Sequence, residues 1–288
     1  MRILLTGSKG QLGKSIREQL PEEWELIATD SKTLDITNRE AVLNMVKSFQ
    51  PDAIINAAGF TSVSECEKNS DKTFAVNAIG TRNLAEAARS VAAKFIHLST
   101  DFVFSGNSRI PYQECDAPDP QCVYGRSKLA GELLALASQA NTIILRTSWV
   151  FSEFGQNSVS ALLEKAKTGQ SIELIDNQAA CPTYAGDLAR AILQLLQQSN
   201  FPAGIIHYCG DQALSSYKFA QAVFQAEKER NPEFVIPELK PVLLADQAQF
   251  AMRPQYSVLN CDKARSLGLH ASDWKKALTQ VLKHLANQ

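Results

Sequence analysis

Tyr124 and Lys128 stand four positions apart in the run Tyr124-Gly-Arg-Ser-Lys128. Residues at that spacing share one face of a helix, so a phenol and an ammonium would address the same point. A free tyrosine titrates at about 10 and is a poor acid at neutral pH. A fixed lysine beside it favours the phenolate and brings it toward the working range, as an acid giving a proton to a carbonyl oxygen requires. The spacing alone recurs by chance on solvated helices. Its weight comes from a second group upstream, His97-Leu-Ser-Thr100-Asp101-Phe-Val-Phe104, where hydroxyls and a carboxylate end an apolar run. Thr100 could donate to a substrate carbonyl or to the tyrosine. Asp101 could hold a sugar hydroxyl or simply close a turn.

A third group opens the chain. Gly7-Ser-Lys-Gly10-Gln-Leu-Gly13 follows the apolar run Arg2 to Thr6 directly and leads into a helical pattern. Glycines there let the backbone turn tightly and approach a pyrophosphate, while the helix N-terminus offers free amides and partial positive charge. The spacing is a relative of the dinucleotide fingerprint, and it nominates Gly7, Gly10, Gln11 and Leu12 for a cofactor. Asp30, at the end of the second strand, could accept from the ribose 2′-hydroxyl of NAD or serve as a turn residue. Lys9 and Lys32 would instead attract a 2′-phosphate, so NADPH is the expected cofactor and NADH stays open. Asp35 and Ile36 could flank the adenine. The third strand ends in Asn56-Ala57-Ala58-Gly59, small side chains against which phosphate and ribose can lie; Thr61 and Leu98 complete the expected cofactor set.

These groups need a scaffold that brings strand ends together. Apolar runs at Arg2–Thr6, 25–29, 53–57, 94–99 and 142–147 alternate with helical patterns at 11–20, 38–49, 71–90 and 124–138. Such alternation predicts a parallel sheet covered on both faces and, with right-handed crossovers, a doubly wound α/β (Rossmann) fold. After residue 150 the rhythm loosens, with helices expected at 157–168, 184–198, 215–230 and 272–286 and strands at 172–175 and 205–208. Residues 1–150 are read as the dinucleotide-binding core, and 151–288 as mainly a smaller, interleaved substrate-binding lobe with segments returning to the core.

Bulk properties exclude other classes. With 29 Lys and Arg against 30 Asp and Glu, the net charge of -1 gives no general pull toward nucleic acid or anionic lipid. No apolar run approaches the roughly 18 residues of a membrane span, and the apolar run at the start is too short for a signal peptide. A cytoplasmic location is expected. The six cysteines are scattered without a C-x-x-C pair and read as buried thiols. No His, Cys, Asp and Glu cluster has metal-ligand spacing, and the four histidines are isolated.

Taken together, the segments Arg2-Ile-Leu-Leu-Thr-Gly7, Gln11-Leu-Gly13, Pro51 to Ala58, Ser99-Thr-Asp-Phe-Val-Phe104, Val123 to Glu132, Arg146-Thr-Ser-Trp-Val150, Pro182-Thr183 and Arg253-Pro254 carry a signature. The chain resembles the extended short-chain dehydrogenase/reductases over nearly its whole length. Ser99–Phe104 and Arg146–Val150 point within them to the dTDP-4-dehydrorhamnose reductases. The resemblance implies that Tyr124 is the proton donor, that Lys128 tunes it and binds the ribose, and that Thr100 and Asp101 contact the sugar. It further implies that Trp149 stacks beside the sugar and that Arg253 helps hold the nucleotide diphosphate; the alternatives are a core aromatic and a surface cation. The reaction implied is reduction of the C4 ketone of dTDP-4-dehydro-L-rhamnose by NAD(P)H. Relatives with a magnesium-bridged dimer use glutamates where this chain has Ser15 and Asp187, and its last helix is basic around Lys275. A monomer or a metal-independent homodimer is therefore expected. Two other readings stay open: a non-catalytic regulatory subunit resembling that of methionine adenosyltransferase, and a reductase or epimerase of another sugar nucleotide.

Overall fold

The computed structural model describes residues 1–246 and 252–287. Its strands are β1 (Arg2–Thr6), β2 (Glu25–Ala28), β3 (Ala53–Asn56), β4 (Lys94–Thr100), β5 (Thr142–Thr147), β6 (Val150–Phe151), β7 (Ile172–Ile175), β8 (Thr183–Tyr184), β9 (Gly204–His207) and β10 (Leu239–Val242). The helices are α1 (Gln11–Gln19), α2 (Arg39–Phe49), α3 (Val63–Lys68), α4 (Ser70–Phe74), α5 (Thr81–Ser90), α6 (Val123–Ser138), α7 (Ser158–Ala166), α8 (Ala185–Gln197), α9 (Ser216–Arg230), α10 (Asp262–Ser266) and α11 (Trp274–Leu285).

Six strands form one sheet in the order β2-β1-β3-β4-β5-β9, every pair parallel. This is the doubly wound Rossmann arrangement that the alternation predicts. Side chains alternate across the sheet: Ile3 and Leu5 enter the core on one face and Leu4 the core on the other. Both faces are covered, which is why the strands read as continuous apolar runs. From β1 the chain runs outward to β2 and then returns past β1 to β3, so the order reverses between β1 and β3. A crevice opens at such a reversal, at the carboxyl ends of the strands. The sixth strand, β9, comes from the second half of the chain. The remaining elements there form a third core of Phe151, Phe219, Phe224 and Trp274, with the small parallel pairs β7–β10 and β6–β8.

One expectation is corrected. The helix read at 71–90 is not one α-helix: α3 begins earlier, and a π-helical segment, Ala75–Gly80, separates α4 from α5. The π turn carries Asn77, whose Oδ1 accepts from Phe60 N at 2.7 Å and whose Nδ2 donates to Phe60 O and to Ser127 Oγ, each at 2.9 Å. The irregular turn thereby ties the backbone beyond β3 to the Tyr–Lys helix, and π turns of this kind concentrate at functional sites. Periodicity does not report it, because a segment of six residues is too short to reveal the change of phase that the wider turn introduces. The strands β6, β8 and β10 and the helices α3 and α10 also go beyond the pattern reading, being too short to establish a period.

Below the crevice lies a buried ion pair. Arg146 of β5 and Glu132 of α6 are each 1% exposed, with Nη2 donating to Oε2 at 2.7 Å and Nε to Oε1 at 2.9 Å. Ser99 Oγ of β4 donates to the same carboxylate, and the guanidinium lies 5.1 Å from the Phe104 ring centroid. The pair therefore fixes α6 against β4 and β5. Removing one partner leaves an uncompensated buried charge, at about 3–5 kcal/mol. Arg146→Met is expected to lose stability on that scale in urea titration; a loss under about 1 kcal/mol would show that Glu132 is neutralised without it.

Candidate active site

The glycine loop meets its requirement through close approach. Gly7 has φ +70°, and a Cβ there would lie 2.5 Å from the Ala57 carbonyl carbon and 2.6 Å from Ala58 N. A Cβ on Gly13 would come within 2.3 Å of the Gly7 carbonyl oxygen. The loop can thus lie flat against the end of β3, with Ser8 N donating to Thr29 O at 2.9 Å. Gly10 precedes α1 without a side chain to occupy its first amides, the arrangement a helix N-terminus needs to receive an anion.

Three adjoining cavities run along the carboxyl edge of the sheet. The first, about 420 Å³, is lined by Gly7, Lys9, Gly10, Asp30, Asp35, Ile36, Ala57, Ala58 and Gly59. The second, about 510 Å³, shares Gly10 and Ala57–Gly59 with it and adds Gln11, Leu12, Thr61, Leu98, Thr100, Asp101, Tyr124, Lys128 and Trp149. The third, about 490 Å³, shares Asp101, Phe102 and Trp149 with the second and reaches Ser158, Gln178, Arg253 and Ser257. Every residue named for the site from the sequence except Lys32 lines one of the three. An extended cofactor fits the first two end to end, and a second ligand fits the third. Thr147 Oγ1 and Ser158 Oγ, on the second and third cavities, are buried hydroxyl oxygens without a protein partner.

The reactive groups line the second cavity, which joins the third at Asp101, Phe102 and Trp149. Tyr124 sits in the first turn of α6, with its ring edge-on to Phe102 at 5.6 Å. Its approach is secured by Gly125, where a Cβ would stand 2.2 Å from Phe102 O. Thr100 lies within hydrogen-bonding reach of the phenol. Here the expected tuning is corrected: burial, reinforced by the Asp101 carboxylate, holds the phenol above its ordinary range, and the Thr100 contact offsets this only in part. The reason is local. Lys128 Nζ donates to Leu98 O at 2.5 Å and lies 3.3 Å from His97 Nε2, beneath the strand end. Burial brings the Lys128 amine down to about 8, against the opposing pull of Glu132.

Asp101 is 3% exposed and already accepts three hydroxyls: Thr100 at 3.1 Å, Ser148 at 3.0 Å and Ser257 at 2.5 Å. A carboxylate offers about four acceptor sites, so little is left for a ligand, and Asp101 mainly joins β4, the segment after β5 and the segment after Arg253. Burial raises its pKa while the three hydroxyls lower it. Asp30 is likewise engaged: Oδ1 takes the Lys32 and Thr33 amides, each at 3.0 Å, and Oδ2 pairs with Lys9. These contacts hold the Asp30 carboxyl well below its usual range. Lys32 is exposed, whereas Lys9 faces the first cavity. Trp149 is half-buried with φ +46°, a conformation costly for a bulky residue, and its ring lies 4.8 Å from Phe219. It is both a packing residue and a cavity wall. Arg253 is exposed at the rim of the third cavity.

Sequence reading missed Thr147, Ser148, Ser158, Gln178 and Ser257. Thr147 and Ser148 stand inside a quoted motif, but no pattern singles out polar groups that converge from distant segments. Five cysteines are buried, whereas Cys115 is exposed, correcting the uniform expectation; the Cys209 and Cys261 thiols lie 3.5 Å apart, unbridged. Ser15 is buried, with Oγ donating to Gln11 O at 3.1 Å, and Asp187 is held by Arg190 at 2.7 Å and Ser272 at 2.8 Å. Among the described residues no group of three His, Cys, Asp or Glu could hold a metal, and no helix is long and apolar enough to cross a membrane.

Residues 1–287 match the family model described as the RmlD substrate binding domain. The chain is 38% identical to a dTDP-4-dehydrorhamnose reductase of Aggregatibacter actinomycetemcomitans, over 97% of this chain and 98% of that one. Among solved structures it resembles a dTDP-4-dehydrorhamnose reductase of Clostridium acetobutylicum, with TM-score 0.93, 35% identity and coverage of 99% of this chain and 100% of that chain. It also resembles the Bacillus anthracis dTDP-4-dehydrorhamnose reductase in complex with NADP, with TM-score 0.91, 33% identity and 98% of each chain covered.

Proposed function

The chain belongs to the dTDP-4-dehydrorhamnose reductase family, and from that premise we propose that it reduces the C4 ketone of dTDP-4-dehydro-L-rhamnose to give dTDP-L-rhamnose, using NADPH. The observation that carries this reading is a cavity floored by the glycine loop and lined by Thr100, Tyr124 and Lys128, which meets at Asp101, Phe102 and Trp149 a second cavity rimmed by Arg253. The glycine loop, the free amides of α1 and the small residues at 57–59 fit a dinucleotide. When bound, that dinucleotide supplies the hydride.

The chain's own groups do the rest. The phenol, held protonated by burial, is a ready donor to the oxygen that gains charge as the ketone is reduced. Thr100 steadies the phenol, and Lys128 supplies N–H groups to the cofactor side of the cavity. Trp149 walls the sugar, and Arg253 supplies a cation to the diphosphate. Residues 1–150 supply most of the dinucleotide site, and the lobe within 151–288 supplies most of the sugar-nucleotide site. The relatives that match over nearly the whole chain are dTDP-4-dehydrorhamnose reductases, so the regulatory-subunit alternative is not favoured. The enzyme acts in the cytoplasm. It is a monomer or a metal-independent homodimer, because Ser15 and Asp187 replace the glutamates of the metal-bridged relatives and are bonded within the fold.

Three outcomes test these assignments. With dTDP-4-dehydro-L-rhamnose and NADPH, Tyr124→Phe should lower turnover by at least roughly 10²-fold, the scale of a lost acid catalyst; near-normal turnover would place the proton elsewhere. Lys9 is the cation nearest to hand for a 2′-phosphate, so Lys9→Ala should weaken NADPH by about tenfold, the scale of one charged hydrogen bond. NADH binding, measured by fluorescence titration, should change far less, and equal losses for both cofactors would remove Lys9 from that role. Sedimentation velocity should give the same species with and without magnesium; a magnesium-dependent dimer would contradict the assignment of Ser15 and Asp187.

A further inference from the structure

One hydroxyl in the second cavity has nothing in the fold to bond. Thr147 is the last residue of β5 and 8% exposed, and its Oγ1 is buried without a partner. Among the described residues it is the one such side-chain atom on that cavity. An unpaired hydroxyl in the interior is destabilising, and a valine of the same shape would avoid the penalty. Nearby polar side chains are already engaged. Thr100 donates to Asp101, Ser99 donates to Glu132, and Gln11 Oε1 accepts from Ser152 Oγ at 2.9 Å. Lys128 Nζ donates to Leu98 O.

The sheet register says what this hydroxyl faces. Thr147 pairs with Thr100 of β4, so the two side chains leave the sheet on one face, on strands about 4.8 Å apart. Leu145, two residues earlier, shares the core on that face with Leu12 of α1 and Leu188 of α8. Thr147 therefore looks toward the side on which the glycine loop leads into α1. Hydride transfer needs the reacting carbons within roughly 3–3.5 Å of each other, and the carbonyl oxygen has to meet the phenol beside Thr100. A nicotinamide ring placed for this lies next to Thr147, among Leu12, Leu98, Val150 and Leu188. Those walls are apolar, yet the ring carries a carboxamide whose carbonyl and N–H groups are costly to bury unpaired. A hydroxyl can donate to the one or accept from the other. We propose that Thr147 binds the carboxamide of the nicotinamide ring, so that the hydroxyl left unpaired by the fold and the amide enclosed by the cavity satisfy each other. The role rests on the reading of NADPH as the cofactor.

The test compares two ligands on the full chain. Thr147→Val removes the hydroxyl and keeps the branched shape. Wild-type and variant chains are titrated calorimetrically with NADP⁺ and with 2′-phospho-ADP-ribose, which has the same phosphates and riboses but no nicotinamide. The variant should bind NADP⁺ about five- to tenfold more weakly, the scale of one hydrogen bond, and 2′-phospho-ADP-ribose as tightly as wild type. Thr147→Ser keeps a hydroxyl and should restore most of the NADP⁺ affinity. Without ligand, the Thr147→Val chain should unfold at the same urea concentration as wild type or a higher one, since an unpaired hydroxyl has left the interior. Equal weakening of both ligands, or a lower urea midpoint, would make Thr147 a structural residue and overturn the role. If the wild-type chain binds NADP⁺ and the Thr147→Val chain matches it, Thr147 alone is rejected. A wild-type chain that binds neither ligand rejects the cofactor reading and the role with it.

Discussion

The carboxyl edge of the sheet has to be polar enough to do chemistry and dry enough to be part of the core. In such a layer an unpaired polar group costs about 1–3 kcal/mol, so each group added must be matched by another. Thr6, Asn56, His97 and Lys128 meet that demand in one direction across the sheet, and Ser99, Glu132 and Arg146 meet it in a second layer below. The two layers share α6, which carries both Lys128 and Glu132. The helix cannot turn or slide without breaking one of them. Tyr124 inherits its position from this double attachment.

The glycine loop depends on the same edge. Asn56 Oδ1 receives the Ala58 amide and so shapes the turn after β3; Gly7 can pack against that turn only because it has no side chain. Asn77, on its π turn, holds the far side of the turn through Phe60 and reaches Ser127 on α6. The cofactor side and the proton-donor side of the site are therefore held by one continuous set of hydrogen bonds. Asp101 plays the matching part for the sugar side, joining three segments distant in sequence through Thr100, Ser148 and Ser257.

Much of this can be read from sequence where the signal is local. The first five strands and the spacing of Tyr124 and Lys128 come from period and composition, because a doubly covered parallel strand can be little else than a short apolar run. The glycine loop is legible because only glycine tolerates the contacts at Gly7 and Gly13. What resists reading is set by contacts across the fold. Ser257 reaches Asp101 over 156 positions, and nothing near it in the chain announces a ligand cavity. The π turn is hidden inside a helical pattern. The tuning of Tyr124 escapes the sequence for a related reason: adjacency on a helix face says that lysine can reach the phenol, not that burial outweighs it or that the amine turns toward His97. Asp30 has the residue type expected of a ribose acceptor, yet its oxygens are taken by Lys9 and by the turn it closes.

The central claim is that hydride and proton are delivered to one carbonyl between two cavities. Its most direct measurement is isotopic: purified protein is given dTDP-4-dehydro-L-rhamnose and NADPH deuterated at the transferable position, and the sugar product is read by NMR. The account predicts one deuterium at C4 of dTDP-L-rhamnose for each cofactor oxidised. Tight NADPH binding without oxidation, or oxidation that leaves C4 unlabelled, would contradict it.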